Sequence, residues 1–161
     1  LLQKEIDITP DDTMGTVYFD KLFNLGVEAL LEGVDLVKAG NAPKMVQDES
    51  KATYEGWCKK ENVEIDWNKP VDEVYNLIRG ANPAPGAWTT HGGKTLQIFD
   101  AAKTDGGGTP GEVIEVSAET ITVAAQGGAV LVKRVRPEGA GKVPAGEFAA
   151  GAGLQTGAKL G

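Results

Sequence analysis

The apolar positions follow two different periods, and the change from one to the other divides the chain. From Met14 to Leu22 the apolar residues Met14, Val17, Tyr18 and Leu22 recur at three- and four-residue spacing. Such spacing lines one face of a helix. Thr9-Pro10-Asp11-Asp12 precedes this run as a helix-start signal. Thr9 is placed to cap, Pro10 suits the first helical position, and Asp12 sits where a carboxylate reaches back to the cap. Gly26 is expected to break the pattern. A second helix should then carry Ala29, Leu30, Val34 and Val37 and stop at Gly40. Residues 41–64 show no sustained period and read as a surface connector. Asn68-Lys69-Pro70 opens a further short helix, with Val71, Val74, Leu77 and Ile78 inward and Gly80 at its end.

From Ala87 onward the period falls to two and glycines separate the runs. Ala87–Thr90 and Lys94–Ala101 flank His91-Gly92-Gly93, the pattern of a tight hairpin. Glu112–Val116, Thr120–Ala124 and Ala129–Arg136 complete five expected strands. Five short strands in so few residues suit a small closed or partly open barrel, because closure removes exposed edges. Residues 144–150 read as a terminal helix anchored by Phe148. The expected class is therefore α+β, a helical segment followed by a small β-barrel.

Composition sharpens the division. The 161 residues carry a formal net charge of -7. Up to Ala84 there are nine basic and sixteen acidic residues, and after it seven of each. Hydrophobic residues make up 41% and charged residues 24%, as in an ordinary globular chain. No apolar run approaches the roughly 18 residues of a membrane-spanning helix. A single cysteine, Cys58, permits no internal disulfide and no four-cysteine metal site, and the lone His91 excludes a site needing two imidazoles. A metal site is not expected, and a reducing cytoplasm is. The chain starts at Leu1 without a signal-peptide pattern and reads as a piece of something longer.

The residues supply little chemistry of their own. Asp11 and Asp12 are better explained by helix capping than by metal binding. His91 has no nucleophile or carboxylate arranged around it and reads as an exposed turn residue. Gly106-Gly107-Gly108 lacks the Lys-Ser/Thr pair of a phosphate cradle and reads as a loop. Basic residues give the remaining signal. Lys59-Lys60 stand beside Trp57, and Arg134 and Arg136 share a strand face next to Lys133. These five are the candidate phosphate-binding residues. No catalytic constellation is present.

The order of motifs says more. "ITPDDT" (8–13), "LFNLG" (22–26), "QDESKATY" (47–54), "IDW" (65–67) and "IRGANPAPGAW" (78–88) are followed by "PEG" (137–139), "AGEF" (145–148) and a closing "GAKLG". Taken together, the chain resembles the carboxy-terminal half of the 10-formyltetrahydrofolate-using formyltransferases. The resemblance implies that residues 1–56 are the tail of a Rossmann-like formyltransferase domain, 57–65 a linker, and 66–161 an OB-like carboxy-terminal domain. It also implies that the catalytic Asn, His and Asp and the 10-formyltetrahydrofolate site lie upstream, so this piece should be inactive alone. The ending and "NPAPGAW" resemble methionyl-tRNA formyltransferases, with initiator methionyl-tRNA as the implied partner. "LLQKE", "ATYEG" and "IRG" resemble the hydrolase domain of 10-formyltetrahydrofolate dehydrogenases. The balanced charge of the barrel departs from the tRNA expectation and leaves a third reading, a plain OB-like interaction module.

Overall fold

The computed structural model describes residues 1–161, which separate into two compact units, Leu1–Trp57 and Cys58–Gly161. The first unit is built on one long helix, α1, over residues 14–38. It starts four residues later than the sequence pattern suggests. Asp12 does reach back, accepting from the Thr9 amide at 2.7 Å and the Thr9 hydroxyl at 2.9 Å, but this closes a separate turn. Thr13 is the cap instead. Its hydroxyl accepts from the Thr16 amide at 3.1 Å, and the Thr16 hydroxyl accepts from the Thr13 amide at 2.9 Å. Gly26 does not break the helix, which runs through it to Lys38. A helical glycine costs only about 1 kcal/mol, and continuous backbone hydrogen bonding outweighs that. The irregularity lies earlier, in a π-helical stretch at Val17–Leu22 that brings the rings of Tyr18 and Phe19 to 5.0 Å. Only Val17 and Gly33 of α1 are buried within this chain; Phe19, Phe23, Leu30 and Leu31 remain exposed.

The second unit contains the barrel sheets. Eight strands, not five, form two four-stranded antiparallel sheets in the orders β1-β2-β7-β8 and β3-β6-β5-β4. They are β1 (Ala87–His91), β2 (Lys94–Ile98), β3 (Ala101–Thr104), β4 (Val113–Val116), β5 (Ile121–Ala125), β6 (Gly128–Val132), β7 (Arg134–Pro137) and β8 (Val143–Pro144). A corner accounts for two of the extra strands, and the short β8 is the third. The two longest expected strands bend together, so that Lys94–Ala101 becomes β2 and β3 and Ala129–Arg136 becomes β6 and β7. Register is kept across the bend, with Ile98 opposite Val135 and Ala101 opposite Val132. The ladder itself is distorted there. The Asp100 carbonyl accepts from both Lys133 (2.8 Å) and Arg134 (3.3 Å), and the Phe99 carbonyl takes the Asn82 side-chain amide at 3.3 Å.

Strand pairing does not close the barrel. Other segments cover its edges, as exposed ladder groups require. Beside β1, the Ile65 amide donates to Trp88 and the Trp88 amide to Val63. At the other sheet the Val113 amide donates to Ala158, the Gly157 amide to Val113 and the Leu160 amide to Gly111. The amide of Gly161 then reaches Thr90 of β1 at 3.0 Å, so residues 157–161 span the gap between the sheets.

Helix α2 (Val71–Gly80) buries Val74 and Ile78 as expected, together with Tyr75, while Val71 and Leu77 pack at the rim. Gly80 is its last helical residue and Ala81 the cap, so no left-handed cap forms. Helix α3 (Ala145–Ala152) is anchored by fully buried Ala145 and Ala149 rather than by Phe148, which is half-buried. Small residues are needed because α3 lies against the β4–β5 turn. A Cβ on Gly146 would stand 2.4 Å from the carbonyl oxygens of Ser117 and Ala118. His91 closes β1 rather than sitting in the turn, and the two-residue turn is Gly92-Gly93 alone. Its ring is half-buried, edge-on to Phe148 with centroids 6.0 Å apart.

Two outcomes follow from these contacts. Gly146→Ala forces backbone against backbone and should destabilise the second unit by about 3 kcal/mol in urea unfolding. Unchanged stability would mean that α3 shifts freely. At the start of α1, Lys21, the Thr9 amide and the hydroxyls of Thr9 and Thr16 all favour the charged form of Asp12 and hold its carboxyl well below the usual carboxylate range. A carboxylate depressed in the folded state stabilises it above its unfolded pKa of about 3.9 and loses that contribution as pH falls toward the folded value. Circular dichroism should therefore show α1 loosening below about pH 4. Asp12→Asn should flatten this acid dependence at the cost of a weaker helix start at pH 7.

Candidate nucleic-acid interface

The outer face of the first sheet carries one cross-strand row. Trp88 of β1 stands opposite Gln97 of β2, and Gln97 stands opposite Arg136 of β7. Alternation places these three on the solvent side because Ala87, Leu96, Ile98 and Val135 take the core side. Gln97 joins the row by using both ends of its amide. Its Oε1 accepts from Arg136 Nε at 2.7 Å, and its Nε2 donates to the Pro85 carbonyl at 2.9 Å. The "NPAPG" segment is thereby tied to the sheet, with Asn82 at the corner and Pro85 at the row. Gly86 has φ +87°, and a Cβ there would lie 2.9 Å from Gln97 Nε2 and 3.0 Å from the Phe99 ring. Glycine is required for both reasons.

Cations flank the row on both sides. The Lys60 ammonium lies 5.1 Å from the Trp88 ring centroid, and the Trp88 indole N–H donates to the Lys60 carbonyl at 2.8 Å. At the other end Arg136 and Lys142 both approach the Phe99 ring, at 5.6 Å and 3.6 Å. None of these three cations has a carboxylate within ion-pair range, and two of them share one ring. That arrangement leaves positive potential for an anion. A groove of about 460 Å³ runs along the row, lined by Lys60, Thr95, Gln97, Arg136 and the 137–140 turn. Glu138 supplies its only carboxylate, which accepts from the Thr95 amide at 3.1 Å.

Of the five basic candidates, the structure brings Lys60 and Arg136 together in this groove. Arg134 shares the Arg136 face but lies 3.7 Å from Asp100, which offsets its charge. Lys59 faces Glu61 at 3.9 Å. Lys133 sits at the corner, exposed, with its backbone committed on both sides to Asp100 and Ala145. The aromatic partner of the lysine pair is Trp88 and not Trp57, which is almost wholly exposed. Lys142 and Gln97 are not singled out by sequence reasoning. Lys142 stands alone in a turn, and only the fold sets it over Phe99.

Every buried side-chain nitrogen and oxygen has a hydrogen-bond partner. No cluster of three or more His, Cys, Asp or Glu side chains is placed to hold a metal ion. No helix is long and apolar enough to cross a membrane.

Residues 58–153 match the family described as the formyl transferase C-terminal domain. The whole chain is 38% identical to methionyl-tRNA formyltransferase of Geotalea daltonii and covers 51% of that protein. Cytosolic 10-formyltetrahydrofolate dehydrogenase of Xenopus tropicalis is 37% identical over 92% of this chain, which covers 18% of its length. The chain thus spans about half the length of the formyltransferases it matches, and less of the dehydrogenases. Among solved structures, HypX from Aquifex aeolicus in complex with tetrahydrofolic acid superposes with a TM-score of 0.73 at 21% identity, over 89% of this chain and 26% of that one. That likeness establishes the shared fold.

The row has a simple internal test. Arg136→Lys keeps the charge but loses the planar Nε–H donated to Gln97. It should lower stability by about 1 kcal/mol in urea unfolding, and a double-mutant cycle with Gln97→Leu, which also loses the Pro85 bond, should return a coupling of about 1 kcal/mol. Additive losses would show that the pair does not act as a unit.

Proposed function

This chain belongs to the formyl transferase C-terminal domain family, and from that premise we propose that it is the trailing half of a 10-formyltetrahydrofolate-dependent formyltransferase whose acceptor is the amino group of methionyl-tRNA. In this reading residues 1–56 complete the catalytic domain, 57–65 form a linker whose end at 63–65 is pinned to β1, and 66–161 form the OB-like domain, in the cytoplasm. The exposed apolar side of α1, with Phe19, Phe23, Leu30 and Leu31, supports the first assignment, because so much unpaired apolar surface belongs against a partner surface. The catalytic Asn, His and Asp and the folate site belong to the preceding half, so this chain alone carries no turnover. Its own work is to bind and orient the acceptor nucleic acid.

The observation that carries the reading is a set of three cations without ion-pair partners, Lys60 and Arg136 lining one groove and Lys142 beside Arg136 over the Phe99 ring. Net charge argues weakly here, since affinity for phosphates follows local clustering and counterion release. Lys59, Lys133 and Arg134 lie outside the groove and would add weaker, steering contributions. The resemblance to the dehydrogenases favours water as acceptor instead, and that reading requires no RNA affinity of this surface.

Titration of the chain with initiator methionyl-tRNA at two salt concentrations separates the readings. Three phosphate contacts predict a loss of roughly 40-fold in affinity between 50 and 200 mM salt. Replacing Lys60, Arg136 and Lys142 together by alanine should reduce the log–log salt slope by two to three, about 0.9 per contact. Equal binding by the triple variant would remove the basic row as the interface. No binding at low salt would favour water as acceptor or a protein-binding module.

A further inference from the structure

The basic groove continues into a second cleft at the same end of the sheet. This cleft, of about 400 Å³, is lined by His91, Lys94, Thr95, Glu138, Phe148 and Ala152, among others. Thr95, Pro137 and Glu138 line both spaces, so the two are contiguous. The first carries cations and the second carries two rings.

Both rings keep exposed surface, although Phe148 also packs partly against the core. Helix α3 is fixed by Ala145 and Ala149, which are fully buried, whereas Phe148 and His91 are each half-buried. The rings meet at 84°, edge to face, so each keeps surface that the other does not cover. At the rim, Glu138 has one oxygen, Oε2, occupied by the Thr95 amide, and Oε1 accepts no bond. Lys94 has no carboxylate in ion-pair range. An open aromatic surface, a carboxylate acceptor at its edge and neighbouring cations are the elements that hold a nucleotide outside a duplex.

We infer that the His91–Phe148 cleft is a stacking subsite for an unpaired, amine-bearing nucleobase whose strand runs on into the Lys60–Arg136 groove. The inference rests on the nucleic-acid reading above and extends it from charge to base recognition. A carboxylate acceptor favours bases with an exocyclic amine over uracil, as a glutamate does when it accepts from cytosine. Phosphate contacts set register and salt dependence, and the ring and Glu138 set the preference among bases.

The test uses the 161-residue chain with single-stranded tetraadenylate and tetrauridylate. The wild-type chain should bind the adenylate roughly ten-fold more tightly. Phe148→Leu keeps the apolar packing and should lose most of that preference without changing the salt slope, and Phe148→Tyr should restore it. Glu138→Gln should narrow the preference while leaving the melting temperature in place. Lys60→Ala with Arg136→Ala should lower the salt slope and leave the base preference intact. Adenylate binding by Phe148→Leu at wild-type strength overturns the subsite and leaves the phosphate reading standing. Failure of the wild-type chain to bind either oligonucleotide at low salt also overturns the subsite, while the titration with tRNA decides the phosphate reading separately.

Discussion

The second unit depends on one backbone corner. At Phe99-Asp100 and Lys133-Arg134 two paired strands bend together without losing register, and the Asp100 carbonyl accepts two amides in succession. Straight strands of that length would form one flat sheet with long exposed edges. The bend turns them into two sheets that face each other over a shared core of Leu96, Ile98, Ile121, Val123, Val130, Val132 and Val135. It also leaves the Phe99 carbonyl without a ladder amide, and the side chain of Asn82 supplies the missing donor. The "NPAPG" segment is fixed at that point, and with it the position of Gln97, to which Pro85 is bonded.

Rigid edges extend the same constraint. The parallel run at residues 63–65 covers β1, and residues 157–161 reach from the β4 edge to Thr90. Each covering segment also sends a side chain inward, Val63 and Ile65 from one and Leu160 from the other. Backbone pairing and apolar burial therefore secure the same residues. The Trp67 indole, which donates to Thr89 at 3.0 Å, fastens the first segment to the sheet it protects. A surface built on such a frame holds Lys60 and Arg136 on one groove together with the Glu138 carboxylate, and Lys142 beside Arg136 over the Phe99 ring.

Both halves of the functional reading lie on that frame. The cations sit over rings, Lys60 over Trp88 and Arg136 and Lys142 over Phe99, so aromatic faces direct the charge as well as hold the side chains. The turn at 137–140 walls the groove on one side, and Glu138 marks where the groove meets the His91–Phe148 cleft. The long helix of the first unit shows the opposite character. Its capping is complete and its apolar side is open, which is the condition of a helix whose stability comes from packing against a further surface.

The sequence by itself determined the two periods, the helix over 71–80, a hairpin at 91–93 though not its exact turn, the absence of paired cysteines and histidines, and the motif order that marks the family. These are local properties, decided by neighbours three or four residues away or by direct match. Tertiary structure alone decided the rest. Lys94–Ala101 and Ala129–Arg136 read as single strands because alternation does not register a corner; at the bend the Phe99 carbonyl accepts from Asn82, far away in sequence. Lys59-Lys60 stand beside Trp57 in the chain and yet Lys60 finds Trp88, because pairing of residues 63–65 with β1 carries it there. Lys142 has no pattern around it and gains its place only when β8 folds back on β7. One-dimensional spacing reports each charge, while only the fold brings Lys60 and Arg136 to one groove and Arg136 and Lys142 to one ring.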